Sequence, residues 1–249
     1  MNNTTPTNAN KDDERTQRLA RILEKMKGRH VVNGIYRVGY DITADESLSV
    51  VVQAGLARTP GFTIDGENRF AYENIFRWAN GDKTAKALHP QTRQVIPANM
   101  KAGIYIAGNT GTGKTWCLEL LREYLVATGF KIIINGDERQ FLFANLRADE
   151  ITTSFAQNGD LSRFVDMDIL AIQDVGTEPR ETLYMGNRVE VIRAILERRG
   201  DAHDKITLIT SNIPYTHDLF AERYGDRVVS RLREMVNYYE IKGRDRREH

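Results

Sequence analysis

GIYIAGNTGTGKTWCLELL, residues 103–121, sets the frame for the whole chain. Gly103 to Ala107 is an apolar run of strand length. From Lys114 to Thr128 the residues Leu118, Leu121 and Leu125 recur at helical spacing, and Gly129 marks the stop. Between these segments Gly108, Asn109, Thr110, Gly111, Thr112, Gly113, Lys114 and Thr115 match G-x-x-x-x-G-K-[ST] in full. The strand before and the helix after are the setting that motif requires. Glycines let successive backbone N–H groups converge on phosphate oxygens without side-chain clash. The helix starting near Lys114 adds the positive end of its dipole. Lys114 is expected to reach β- and γ-phosphates, and the Thr115 hydroxyl to ligate Mg²⁺. The expected nucleotide contacts run from Gly108 to Trp116. Cys117, one step further, reads as a small core residue rather than a reactive thiol.

Outward from this loop, strands and helices alternate. Residues 131–135 (KIIIN) and 141–145 (FLFAN) read as strands separated by GDERQ, a hairpin or bulged turn. Residues 149–158, 189–199, 218–224 and 228–236 suit helices, and 169–173 and 206–210 suit buried strands. The alternation predicts an α/β fold, a mostly parallel sheet flanked by helices, of the P-loop NTPase class. Residues 166–178 read DMDILAIQDVGTE. Asp174 closes the apolar run at its C-terminal end, where ligand-facing groups belong in an open parallel sheet. It is expected to hold Mg²⁺ and to orient the attacking water. The commoner arrangement has two adjacent acids; here the first place is Gln173, a neutral amide, so either Asp174 does both jobs or hydrolysis is slow. Glu178 is a reserve acid expected to face solvent.

Composition narrows the class. The 249 residues carry 35 Lys and Arg against 34 Asp and Glu, a net charge of +1, so any nucleic-acid surface must be a local patch. One cysteine excludes an internal disulfide, and the five histidines lack ligand spacing. There is no long apolar run and no apolar leader core in the first thirty residues, which predicts no membrane span and a reduced, cytoplasmic setting. Residues 1–12 are polar and predict a disordered tail. Residues 13–90 predict a helical and mixed partner-binding region with linker. Leu19, Ile22, Leu23 and Met26 lie on one helical face, and a second helix spans 68–79. The polar stretch 81–101 is the linker candidate, and 91–249 is the expected ATPase domain.

The set GNTGTGKT at 108–115, DILAIQDVG at 168–176, ITSN at 209–212 and YGDRVVSRLREM at 224–235 resembles the AAA+ ATPases of the DnaC-type helicase-loader group and the related IstB-type transposition ATPases. The resemblance covers roughly residues 100–249. It implies an ATP- and Mg²⁺-dependent ATPase with Asn212 as the sensor I residue and Arg231, accompanied by Arg227, as an arginine finger offered to a neighbouring subunit. It implies a sensor II arginine in GRDRR, residues 243–247, taken as Arg247 with Arg246 in reserve. It also implies a replicative helicase or a transposase as protein partner, single-stranded DNA nearby, and a homo-oligomer when active. Tyr238 and Tyr239 are available as stacking partners for bases, though core packing explains them equally well. A small-molecule P-loop kinase and a non-hydrolysing nucleotide-dependent scaffold are the alternatives.

Overall fold

The computed structural model describes residues 34–39 and 42–246. The expected tail 1–12, the apolar face at residues 19–26 and Arg247 lie outside the described residues. In chain order the first elements are β1 (Ile35–Val38), α1 (Ala44–Arg58), α2 (Arg69–Asn80), β2 (Lys86–Leu88), β3 (Val95–Pro97) and β4 (Gly103–Ala107). Then follow α3 (Lys114–Thr128), β5 (Lys131–Ile134), β6 (Asp137–Gln140), β7 (Ala144–Arg147), α4 (Ala148–Asn158), α5 (Ser162–Asp166) and β8 (Ile169–Val175). The chain continues through β9 (Thr182–Tyr184), β10 (Asn187–Val189), α6 (Val191–Gly200), β11 (Ile206–Ser211), α7 (Asp218–Met235) and β12 (Val236–Glu240).

Seven strands form the main sheet in the order β3-β2-β12-β4-β11-β8-β7. The five from β12 to β7 are parallel; β2 joins β12 antiparallel and carries β3 at the edge. The fold is therefore the α/β arrangement that the sequence predicts. Its two faces follow from the two-residue period of a strand. On β4, Ile104 and Ile106 join one hydrophobic cluster, with Leu118, Leu121 and Leu125 of α3. Tyr105 and Ala107 join the other, with Ile151 of α4, Ile195 of α6 and Leu232 of α7. Each fully buried side chain of this size contributes about 1.5–3 kcal/mol of transfer free energy.

The N-terminal described residues are built into the first cluster: Leu48 and Val51 of α1 and Ile75, Phe76 and Trp78 of α2 all belong to it. α1 starts at a capping box. The Glu46 N–H donates to Thr43 Oγ1 (3.3 Å) and the Thr43 N–H donates to Glu46 Oε2 (2.8 Å). Residues 81–101, expected as a linker, instead supply β2 and β3. They are tied down by side chains from elsewhere: Asn74 Oδ1 accepts the Lys86 N–H (2.8 Å) and Asn237 Oδ1 the Asn99 N–H (2.7 Å).

The segment 131–145 also differs from expectation. β5 pairs with β6, so the residues expected as the turn are the second strand. The reversal is Asn135-Gly136, both with positive φ (54° and 92°), a two-residue hairpin turn whose twist suits antiparallel strands. β6 is exposed along its length, so it carries no apolar alternation to betray it. With β1 these two strands form a separate three-stranded sheet. Tyr238 and Tyr239, considered as stacking partners for bases, are buried on β12, and Tyr238 stacks on Tyr105 at 5.9 Å. No helix of the described residues is long and apolar enough to cross a membrane.

Candidate functional site

β4 and β11 lie side by side, yet the chain leaves them in different directions: from β4 it crosses towards β7, and from β11 it passes β4 to reach β12. A crevice opens beyond the carboxyl ends of parallel strands at such a point. A cavity of about 1330 Å³ lies there. The loop after β4, the end of β8 and the residue after β11 all reach it, through Thr110–Trp116, Asp174 and Asn212.

The loop is shaped for an anion. Gly111 and Gly113 have φ of 78° and 99°, a region that side chains with Cβ adopt only with strain. Gly113 is the N-cap of α3 and offers no side chain to the first N–H groups of the helix. Those donors need a partner from outside the helix. The Lys114 ammonium, on a nearly buried residue, donates to Asn109 O and to Asn212 Oδ1, both at 2.7 Å. Asn212 Nδ2 in turn donates to Thr110 Oγ1 (3.3 Å). The fold thus joins the loop lysine to a residue 98 positions away. Thr115 and Trp116 line the cavity as well. Gly108 and Asn109 do not; Asn109 serves through its carbonyl, which also accepts the Thr112 hydroxyl at 2.9 Å.

Asp174 owes its aim to an irregularity. The β8–β11 register shifts between Ile209 and Ser211, and Asp174 sits at φ 56°. The side chains of ITSN fill the interrupted ladder: Thr210 Oγ1 accepts the Asp174 N–H (3.0 Å), and Ser211 Oγ donates to Val175 O (2.6 Å). Gln173 is buried and donates its amide to Asn145 Oδ1 on β7 at 2.7 Å, outside the cavity lining. Beside Asp174 stands Arg147, at the end of β7, with Nη2 3.5 Å from Asp174 Oδ2 and Nε 3.1 Å from Asp149 Oδ1. Hydrogen bonding to Asp149, with the charge of Asp174 behind it, holds the Arg147 guanidinium above its ordinary pKa.

Glu178 does not face solvent. Its side chain is buried, accepts from the Gly176 N–H (2.8 Å) and the Tyr224 hydroxyl (2.6 Å), and lies 3.2 Å from Arg223. A buried carboxylate needs such partners, and these tie the segment after β8 to α7. Burial, and then the Glu178 charge, push the Tyr224 hydroxyl well up from its ordinary pKa. Arg227 and Arg231 lie on α7 outside the cavity lining. Both pair with Asp201, at 3.0 and 2.5 Å.

The far part of the cavity was not legible in any motif. Phe62 and Tyr72, from the α1–α2 connection and α2, line it together with Trp116. Phe62 lies 6.2 Å from Trp116 and 6.0 Å from Tyr72 between ring centroids. Arg246, the reserve choice for the C-terminal arginine, also lines the cavity. It donates to both carboxylate oxygens of Asp65 at 2.9 Å. The site therefore offers backbone donors, cations and the Asp174 carboxylate near the loop, with aromatic rings further along. That combination suits a ligand with a phosphate chain and a flat ring system.

No protein-family model matches the chain, and no curated protein matches it. Among solved structures it is similar to the DnaC helicase loader at 17% identity, over 77% of this chain and 98% of that one, with a TM-score of 0.46. It is similar to DnaI at 17% identity, over 78% and 93% of the two chains, with a TM-score of 0.47. A candidate primosome component from Streptococcus pyogenes serotype M3 is 17% identical over 73% of this chain and 83% of that one, with a TM-score of 0.48.

Proposed function

We propose that this chain binds Mg²⁺–ATP in the cavity and hydrolyses it slowly, as an AAA+-type ATPase that loads or remodels a replicative DNA helicase. The observation that carries the nucleotide reading is the convergence of the 108–115 loop, Lys114 and Asn212 on one crevice at the switch point of the sheet. In the ligand-bound state the γ-phosphate takes the place of Asn212 as partner of the Lys114 ammonium. The freed Asn212 amide is then able to orient the attacking water, and Asp174 to accept its proton. Thr115 and Asp174 are hard oxygen donors lining the same space, and this donor set fits Mg²⁺. Mg²⁺ held by Thr115 and Asp174 would neutralise charge on the phosphate oxygens. With Gln173 committed to Asn145, Asp174 is the one carboxylate for both duties, which supports slow turnover.

Arg231 lies outside the cavity lining, so its role as a finger belongs to the site of a second copy. The helicase as partner, with single-stranded DNA close by, rests on the motifs ITSN and GDRVVSRL. A transposase is the competing partner. Calorimetry with Mg²⁺–ATP tests the nucleotide reading: Lys114→Ala is expected to abolish binding, and unchanged affinity overturns the site. Co-purification with a hexameric helicase supports the helicase reading; capture of a transposase instead replaces it.

A further inference from the structure

The last described residues form a strap across the candidate site. After β12 the Ile241 N–H donates to Ala107 O (2.9 Å) and the Lys242 N–H to Glu67 O (3.2 Å). The Arg246 N–H donates to Gly111 O (2.9 Å), in the middle of the phosphate-type loop. A methyl group built on Gly111 would lie 2.0 Å from Asp245 Cγ, so the strap rests directly on that loop. The Arg246 stem runs past the start of α3, its Cδ 3.7 Å from where a Cβ on Gly113 would be. Its guanidinium, however, is turned to the opposite partner, both oxygens of Asp65. Arg246 Nε is buried with no acceptor, so the guanidinium is not fully satisfied where it stands.

Asp65 is fixed for this contact. Its Oδ1 accepts the Glu67 N–H (2.9 Å), and its own N–H donates to Asn68 Oδ1 (2.9 Å), in the turn that leads into α2. The hydrogen bond from Arg246 holds the Asp65 carboxyl below its ordinary pKa, so the carboxylate form faces the strap at neutral pH.

We propose that Asp65 is an internal competitor for the ligand: it holds the Arg246 guanidinium away from the phosphate cradle, and a phosphate chain must win that cation from it. This rests on the nucleotide reading above and adds a regulatory contact to it. Asp65 takes the Arg246 Nη2 with both of its oxygens, and a carboxylate and a phosphate are rival acceptors for that nitrogen. Because Arg246 is also the residue that ties the strap to the loop, its transfer changes the strap. Phosphate occupancy is thereby coupled to the position of the chain's C-terminal segment. Asp65→Asn keeps the Oδ1 acceptor for the Glu67 N–H but loses the charge, so the turn is preserved while the competition is weakened.

The test is titration of the full chain with Mg²⁺–ATP, Mg²⁺–ADP and adenosine. Asp65→Asn is expected to tighten binding of both nucleotides about three- to tenfold, the scale of one partly exposed charge pair. Adenosine affinity is expected to stay unchanged. The gain is expected to vanish in the double variant Asp65→Asn, Arg246→Gln. Unchanged or weaker nucleotide binding in Asp65→Asn overturns the proposal while leaving the nucleotide site standing. So does a gain that survives in the double variant. Absence of Mg²⁺–ATP binding in every variant and in the parent chain removes the nucleotide reading and the competitor with it. Asp65→Ser, which also keeps an oxygen for the turn, gives a second variant with the same expected direction if the asparagine form is poorly folded by its melting curve.

Discussion

Gln173 and Asp174 are neighbours on β8 with different fates. Gln173 stays in the pleat, buried and bonded to Asn145, while Asp174 leaves it at a left-handed φ and reaches the cavity. An aspartate tolerates that backbone better than a branched residue does. The side chains of Thr210 and Ser211 hold it there. A carboxylate at position 173 would stand at the same strand end, with Asn145 able to turn its amide and donate. Because residue 173 faces Asn145 and lies outside the cavity lining, Gln173→Asp is expected to leave steady-state phosphate release close to the parent's. Falling turnover would mean that the neutral amide has a positive role. Arg147 makes a related point. It was not marked by any motif, because its importance is only that β7 ends beside Asp174.

At the scale of elements, one side chain welds α5, α6 and β11. Arg199 is fully buried on α6 with five hydrogen bonds and no carboxylate among those partners. Its Nη1 donates to the carbonyls of Phe164 (3.0 Å), Val165 (3.1 Å) and Met167 (2.6 Å). Its Nη2 donates to Ile206 O (2.7 Å) and its Nε to Thr207 Oγ1 (3.0 Å). These carbonyls include the open end of α5, which has no later turn to satisfy it. Burial lowers the Arg199 pKa to about 10, still far above neutral, so it enters the core charged. Arg199→Ala is expected to cost about 3–5 kcal/mol, because several buried acceptors lose their donor at once. Urea denaturation followed by circular dichroism reads this directly. Arg199→Lys is expected to recover only part of the loss, since an ammonium has three donors and no planar fork.

At the scale of the whole molecule, the proposed finger predicts assembly. Arg227 and Arg231 share Asp201 at the end of α6, and the Arg231 stem packs on Gly200, where a Cβ would lie 2.7 Å from that of Arg231. Outside the cavity lining of its own chain, Arg231 fits the proposed finger role only in the site of a second copy. Arg231→Ala is expected to keep the parent affinity for Mg²⁺–ATP while turnover drops by about 10³, the lower range for loss of such a group. Mixing Arg231→Ala with Lys114→Ala protein is expected to restore part of the turnover, because some interfaces then join an intact finger to an intact loop. A mixture no more active than its parts rules out action in trans.

The residues alone determined the centre of the fold. A glycine-rich loop between an apolar strand and an amphipathic helix is a local pattern, and local patterns survive without knowledge of the rest of the chain. The same holds for Asp174 at a strand end and for the alternation that predicts parallel strands. The capping box at Thr43 and Glu46 and the Asn135-Gly136 turn were equally local and could have been read. Only the tertiary structure decided that residues 81–101 are edge strands rather than a linker, that Glu178 is buried, and that Phe62, Tyr72, Asp65, Arg147 and Arg246 share one cavity. These placements depend on contacts between segments as much as 181 positions apart, as in the Asp65–Arg246 pair. No spacing along a chain encodes them; they exist only once the sheet order has brought distant loops to the same strand ends.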